Sequence, residues 1–311
     1  MQNQFPVLPF RNALYRPEEL FAGLDLDDPA SYAATLDFRT YRSMRVPRTR
    51  EVGMLRALHD QSIVEEGLRF IEGRRVVAIM GGHAMRRDDP AYREVACLAR
   101  DLARRDFLLV SGGGPGAMEA THLGALLAPS GDLALDEAIA ALGEVAAFPD
   151  TKHIVGPDGS VDRALVEALH AWSVPAFRLL DEIDPAGRGT SMSVPTWFYG
   201  HEPPTPFATH IAKFFSNPIR EDGLLSVAID GVVYAPGASG TVQEVFEDAA
   251  QNAYRTVLDR FSPMVFLDLD GFWSERVPVL PVLRALFGDE AFEANVRTTG
   301  DRSEILAFLD A

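Results

Sequence analysis

The residue types best suited to chemistry are gathered in one stretch, Gly231-Val-Val-Tyr-Ala-Pro-Gly-Ala-Ser-Gly-Thr-Val-Gln-Glu-Val-Phe-Glu247. The β-branched and aromatic run Val232 to Ala235 breaks at Pro236-Gly237, and helical spacing resumes at Thr241. The pattern predicts a buried strand feeding a helix through a tight loop. Unpaired N–H groups of a first helical turn converge on one point, and the small residues Gly237, Ala238, Ser239 and Gly240, with Thr241, let a phosphate approach them. Glu244 follows one turn after Gly240 and sets a carboxylate beside the bound phosphoester. An ordinary strand-to-helix turn with a solvated glutamate has the same local pattern, so this loop alone does not decide between the two.

A second and a third loop of the same kind lie upstream. Arg75-Val-Val-Ala-Ile-Met-Gly-Gly-His83 reads as an apolar strand ending at Gly81 and Gly82, and Asp89-Pro90 caps a helix through Arg104 with Val95, Leu98 and Leu102 on one face. Phe107-Leu-Leu-Val-Ser111 is a second buried strand, followed by the turn Gly112-Gly-Gly-Pro-Gly116 that opens another helix. Strand, glycine turn and helix repeated in this order predict an α/β fold, a Rossmann-like doubly wound parallel sheet with helices on both faces. In such sheets ligands sit at the carboxyl ends of the strands, where all three loops gather. The dinucleotide fingerprint GxGxxG is absent after the first strand, and no acidic residue ends the second, so a bound NAD is not expected.

The remaining segments frame this core. Residues 1–73 read as an N-terminal helical extension with a helix over Arg50 to Ile71 and clustered arginines, Arg39, Arg42, Arg45, Arg48, Arg50 and Arg56. Pairing with the chain's many carboxylates is the favoured role for these arginines, an anionic effector the other. Residues 74–311 read as a Rossmann-like domain expected to bind a nucleotide, with an elaboration at about 129–190 in which Leu133 to Val145 and Val161 to Trp172 look helical and nothing suggests chemistry. Ser191 to Tyr199 reads as a strand returning to the sheet. The loop Gly200-His-Glu-Pro-Pro-Thr-Pro-Phe207, stiffened by three prolines, reads as a wall or lid over the site. Asn217-Pro218 begins a helix carrying Arg220, Glu221 and Asp222; Pro263 to Asp268 is a further strand, Pro278 and Pro281 disturb the helix near them, and Ser303 to Leu309 is a last helix.

Composition narrows the function classes. The chain has 311 residues, 47% of them apolar, enough for one large core or two modest ones. A formal net charge of −16 argues against nucleic-acid binding, which needs a basic surface, although aimed amides can still hold one phosphate. Cys97 is the single cysteine, so an intrachain disulfide is impossible and a reducing compartment is expected. Met1 to Arg16 lack the apolar core of a secretory signal and no run approaches membrane-spanning length, which gives the expectation of a soluble cytoplasmic protein without a membrane partner. The seven histidines show no metal-ligand spacing, and no metal or cofactor is expected. Lys152 and Lys213, the two lysines, sit in no pyridoxal-phosphate motif, which disfavours Schiff-base decarboxylation.

Taken as a pair, Ser111-Gly-Gly-Gly-Pro-Gly-Ala-Met-Glu-Ala120 and Pro236-Gly-Ala-Ser-Gly-Thr-Val-Gln-Glu244 resemble the two signatures of the LOG-type nucleoside-monophosphate phosphoribohydrolases, long mislabelled as lysine decarboxylases. Within that family the chain looks most similar to the bacterial pyrimidine/purine nucleotide 5′-monophosphate nucleosidases, through Gly114-Pro-Gly-Ala-Met-Glu-Ala120 and Glu202-Pro-Pro-Thr-Pro206. The resemblance covers roughly residues 75–128 and 190–290. It implies a homodimer or larger assembly that hydrolyses the N-glycosidic bond of a nucleoside 5′-monophosphate to free base and ribose 5-phosphate. It also implies Glu244 and Arg220 as catalytic residues, and Gly81, Gly82, Gly112, Gly113, Gly114, Gly116, Met118, Glu119 and Gly237 to Thr241 as nucleotide-binding ones.

Two departures leave a second expectation open. The family's PGGxGT loop has Ala238 at its third position, a methyl where the backbone needs positive φ or the phosphate comes closest, and counting back from the cradle without a gap puts Glu221 rather than Arg220 at the arginine's place. The alternative is a nucleotide sensor or carrier without turnover. The residue types nevertheless suit the reaction: glycosidic cleavage develops oxocarbenium character that a carboxylate such as Glu244 stabilises while it activates water. Arg220 orients the nucleotide or Glu244, or else pairs with Glu221 or Asp222 on a wet helix face.

Overall fold

The structure is a computed structural model and describes residues 5–257 and 259–311; Met1 to Gln4 of the expected extension lie outside the described residues. Seven strands form one sheet, β1 (Arg75–Met80), β2 (Phe107–Ser111), β3 (Ser191–Ser193), β4 (His210–Ile211), β5 (Val232–Tyr234), β6 (Met264–Leu267) and β7 (Val296–Thr299), in the spatial order β4-β3-β2-β1-β5-β6-β7. Every pairing is parallel. The chain winds outward from β1 to β4, then returns to lay β5 on the other side of β1, so the direction reverses between β1 and β5. Loops leaving the two strands at such a reversal part and open a crevice at their carboxyl ends.

Twelve α-helices flank the sheet among the described residues: α1 (Pro17–Leu20), α2 (Leu36–Met44), α3 (Arg50–Ile71), α4 (Pro90–Ala103), α5 (Ala117–Leu126), α6 (Asp132–Gly143), α7 (Arg163–Glu182), α8 (Asn217–Val227), α9 (Ser239–Tyr254), α10 (Leu280–Phe287), α11 (Asp289–Asn295) and α12 (Arg302–Leu309). Alternate residues of the strands face opposite sides. Val76, Ala78 and Met80 join the core beneath α3, α8 and α9, whereas Val77 and Ile79 join the one formed with α4, α5 and α12. Two covered faces explain why β1 and β2 read as continuous apolar runs, and each fully buried aliphatic side chain there contributes about 1.5–3 kcal/mol. This is the doubly wound, Rossmann-like sheet that the strand and glycine pattern predicts.

The segment before β1 contributes Phe5, Tyr15, Tyr32, Phe38 and Tyr41 to the first of these cores, and Tyr15 bridges Ile211 antiparallel at the edge of the sheet. Two buried carboxylates tie it to the site-bearing loops. Asp37 accepts hydrogen bonds from Trp197 Nε1 at 2.8 Å and from Lys213 Nζ at 2.5 Å. Asp60 accepts from the backbone N–H of Phe215 at 2.9 Å and of Ser216 at 2.8 Å, at the threshold of α8. The expected carboxylate pairing of the N-terminal arginines is not what the side chains do. Among the described residues none of the six makes an ion pair; Arg42 donates to Gly159 O and Arg56 to Ser43 O, with its guanidinium over the Phe215 ring.

Several local expectations change. The strand expected over Ser191 to Tyr199 ends at Ser193, because Pro195 has no N–H to give the ladder, and Trp197–Tyr199 is a single 3₁₀ turn. Helix α7 runs past Trp172 and through Pro175 to Glu182. Pro281 falls in the first turn of α10, where its missing N–H is not needed.

Candidate active site

The glycine loops after β1, β2 and β5 meet in one cleft of about 380 Å³. Gly81 and Gly82 line it from β1, Gly112, Gly114 and Met118 from β2 and α5, and Ala238 to Thr241 with Glu244 from the start of α9. Arg220 and Glu221 reach it from α8. The loops brace one another: Gly82 N–H donates to Pro236 O at 3.0 Å, and Ala117 N–H to Gly82 O at 3.1 Å. Gly116 is the hinge of this contact. Its φ is +70°, and a Cβ there would drive into the Gly82 carbonyl, so only glycine fits.

The anion-binding capacity lies at α9. Its first regular hydrogen bond runs from Val242 N–H to Ala238 O, which leaves ahead of it the amides of Ser239, Gly240 and Thr241, three residues that line the cleft. The β2 loop is less able to contribute, because Gly113 N–H already donates to Ser111 Oγ and Gly114 N–H to Met118 Sδ. Ala238 has φ −109°, ordinary extended backbone. The methyl that the sequence flags as a conflict is therefore accommodated without strain.

Arg220 and Glu244 face each other across the cleft with Nη1–Oε1 at 3.6 Å, both largely buried. Arg220 Nε donates to Val194 O at 2.7 Å, just past β3, and its Nη2 fills the space where a side chain at Gly112 would stand. The arginine thus is not paired on a wet helix face. Glu221 instead accepts from Asn217 Nδ2 at 2.7 Å and from Gln243 Nε2 at 3.2 Å at the rim. Burial pushes the Glu244 carboxyl up to about 7; Arg220 opposes this, while Glu221 and Glu247 add to it.

Four expected binding residues lie outside the cleft. Gly113, Gly116 and Gly237 are packed beneath it: Gly113 against Ser193, Gly116 against Gly82, Gly237 against Thr241. Glu119 is fully buried, held by Arg87 (Nε–Oε2 2.8 Å, Nη2–Oε1 2.7 Å) and by Tyr92 Oη at 3.0 Å. It cross-links α5 to α4 and the loop before it and cannot touch a nucleotide.

The cleft also contains residues to which the sequence assigns no role, His83, Pro195, Thr196, Tyr199, Glu202 and Gln243, although Glu202 lies in the proline loop expected to wall the site. Glu202 belongs to the proline loop, which is a fixed wall. Thr205 N–H donates to Gly113 O at 2.8 Å, Thr151 Oγ1 to His201 O at 2.7 Å, and Pro203 through Phe207 are buried. A sequence signal exists, an acid set between His201 and a run of prolines just after the aromatic Trp197-Phe-Tyr199, but its meaning depends on where the loop lands.

The sequence matches no protein-family model. It matches no curated protein either. Among solved structures, one titled as the X-ray structure of TM1055, a structural genomics target, is similar with a TM-score of 0.43 and 17% identity, over 76% of this chain and 98% of that one. No helix among the described residues is long and apolar enough to cross a membrane.

Proposed function

We propose that this protein hydrolyses the N-glycosidic bond of a nucleoside 5′-monophosphate, releasing free base and ribose 5-phosphate. The observation that carries the reading is the convergence of Glu244, Arg220 and the open amides of α9 in a single cleft. The 5′-phosphate sits on the amides of Ser239 to Thr241, about one helical turn from Glu244, a rise of roughly 5 Å. Anchoring the phosphate holds the anomeric carbon against the carboxylate, and positioning of this kind contributes on the order of several kcal/mol to the barrier.

As the C1′–N bond breaks, its electron pair leaves with the base and positive charge develops on the sugar. The ionised Glu244 stabilises that charge and takes a proton from the attacking water. Arg220 keeps Glu244 oriented and favours its ionised form. A sensor without turnover rests on Ala238 and a displaced arginine; the extended backbone at Ala238 and the 3.6 Å approach of Arg220 to Glu244 support the catalytic reading instead. Incubation with AMP, GMP, CMP, UMP and IMP, with chromatographic measurement of free base, tests it. Release from at least one of them is expected. Intact nucleotide in all five reactions would overturn the proposal.

A further inference from the structure

The Glu202 carboxyl occupies the opposite side of the cleft from α9, in an environment unlike that of Glu244. Its backbone is fixed by a hydrogen bond from its N–H to Tyr199 O at 2.8 Å, within a loop docked on Gly113. The side chain is 19% exposed. Its Oε2 lies over the β2 loop, 3.7 Å from where a Cβ at Gly114 would stand. Around it are His201 Nε2 at 3.7 Å and His83 Nε2 at 3.9 Å, too far for hydrogen bonds, and no donor among the described residues bonds it. A carboxyl largely removed from water and lacking a donor favours its protonated form. Burial accordingly pushes Glu202 up, with His83 and Arg220 opposing. Glu244, by contrast, has a guanidinium held in place against it.

Sheet order separates the phosphate amides from Glu202. The phosphate amides lie beyond β5 and Glu202 lies beyond β3, with β1 and β2 between, so a nucleotide with its phosphate on α9 extends its base towards Glu202, Tyr199 and Pro195. Two carboxyl groups on one cleft, both raised by burial and only Glu244 with a guanidinium held at 3.6 Å, supply the pair of proton-transfer groups that acid–base cleavage of a glycosidic bond requires.

We propose that Glu202 is the general acid that protonates the departing base. This rests on the N-glycosidic reading and assigns its missing proton donor. The C1′–N bond breaks with its electron pair going to the base, which receives the Glu202 proton on a ring nitrogen or carbonyl oxygen. Water oxygen bonds to C1′, and its proton passes to Glu244. Glu202 ends ionised and Glu244 protonated, and exchange with solvent restores both.

The test compares Glu202→Gln and Glu202→Asp with wild type on AMP, CMP and 4-nitrophenyl β-D-ribofuranoside 5-phosphate, whose leaving group departs as a stable anion and needs no proton. General-acid loss is expected to lower kcat on the nucleotides by about 10²–10⁴, with KM little changed. On the nitrophenyl substrate the loss is expected to be at least about ten-fold smaller, and that retained turnover also reports a folded site. Equal losses on both substrate types in variants whose thermal melts match wild type, or undiminished cleavage of the nucleotides, would overturn the assignment. If wild type cleaves neither substrate type, the N-glycosidic reading itself falls and the assignment with it, an outcome distinct from failure of Glu202 alone.

Discussion

Arg220 approaches Glu244 to 3.6 Å although the two belong to different helices, α8 and α9, that start after different strands. The same guanidinium donates from Nε to Val194 O at 2.7 Å, so one planar group joins the end of β3 to the helix that offers its amides to the cleft. Planarity matters here, since the contact through Nε fixes the direction in which Nη1 points. The glutamate next to it in sequence, Glu221, is bonded at the rim and does not share this position.

Replacing Arg220 by alanine is therefore expected to lower kcat/KM for nucleotide cleavage by about 10²–10³, the usual loss when one aimed charge donor is removed from an active site. Arg220→Lys is not expected to restore it, because a single ammonium cannot make both contacts. Steady-state kinetics on the best nucleotide substrate check both variants.

Gly112 is expected to be as sensitive as the arginine. A methyl there would collide with Arg220 Nη2 and lie 2.7 Å from Met118 Sδ. The guanidinium, held at Val194 O, would have to give way. Gly112→Ala is expected to keep the fold, read by circular dichroism, and to lose activity by at least about ten-fold, since a misplacement near 1 Å costs up to about 10².

The raised Glu244 carboxyl sets a pH dependence. It must be ionised to stabilise the sugar cation and accept a proton from water. The free enzyme's kcat/KM is therefore expected to fall as pH drops below about 7. Glu221 is one of the like charges that raise this group, so Glu221→Gln is expected to shift that limb towards lower pH, as read from a kcat/KM profile between pH 5 and 9.

Asp248 is raised as well, and its consequence is for stability, running the other way with pH. Burial pushes it up to about 7, against the opposing hydrogen bond from Tyr234 Oη at 2.7 Å. An acid raised in the folded state holds its proton to higher pH than it does unfolded. Its contribution is full below the ordinary carboxylate range, near 4, and is lost as pH rises towards 7. The loss amounts to a few kcal/mol at most, at about 1.4 kcal/mol per unit. Relative to Asp248→Asn, wild type is expected to lose stability between pH 5.5 and 8, measured as the difference in Tm of the two proteins. The comparison cancels the opposite contribution of buried His59 and His122, whose lowered pKa values favour the folded state as pH rises.

The sheet was readable where strands are buried on both faces. Val76 to Met80, Phe107 to Val110 and Val232 to Ala235 are apolar without interruption and end at, or one residue before, a glycine or proline. Strand β4 is not readable, because two residues carry no period and its place is set by the neighbouring β3 and by Tyr15. Strand β7, Val296-Arg-Thr-Thr299, lies at the other edge with only Val296 buried, so it lacks the apolar signature.

At the site, local spacing reveals Glu244 and the α9 amides, which lie on one helix. It does not reveal Glu119's partner Arg87, which is thirty-two positions earlier in sequence and meets it only through helix packing. Nor does it give Glu202 a role, although the proline loop that carries it is expected over the site, because its surroundings depend on that loop folding back onto Gly113. The φ of Ala238 shows that no left-handed backbone is required there, and no residue pattern reports that angle directly.

The proposed reaction depends most on Glu244 acting on the sugar, and the rate of free-base release by Glu244→Gln tests that most directly, once nucleotide binding by the variant has been verified calorimetrically. The expected result is retained binding of the monophosphate with cleavage slowed by at least about 10³, in keeping with loss of both charge stabilisation and general-base assistance. Release of base by the binding-competent variant within several-fold of the wild-type rate would contradict it.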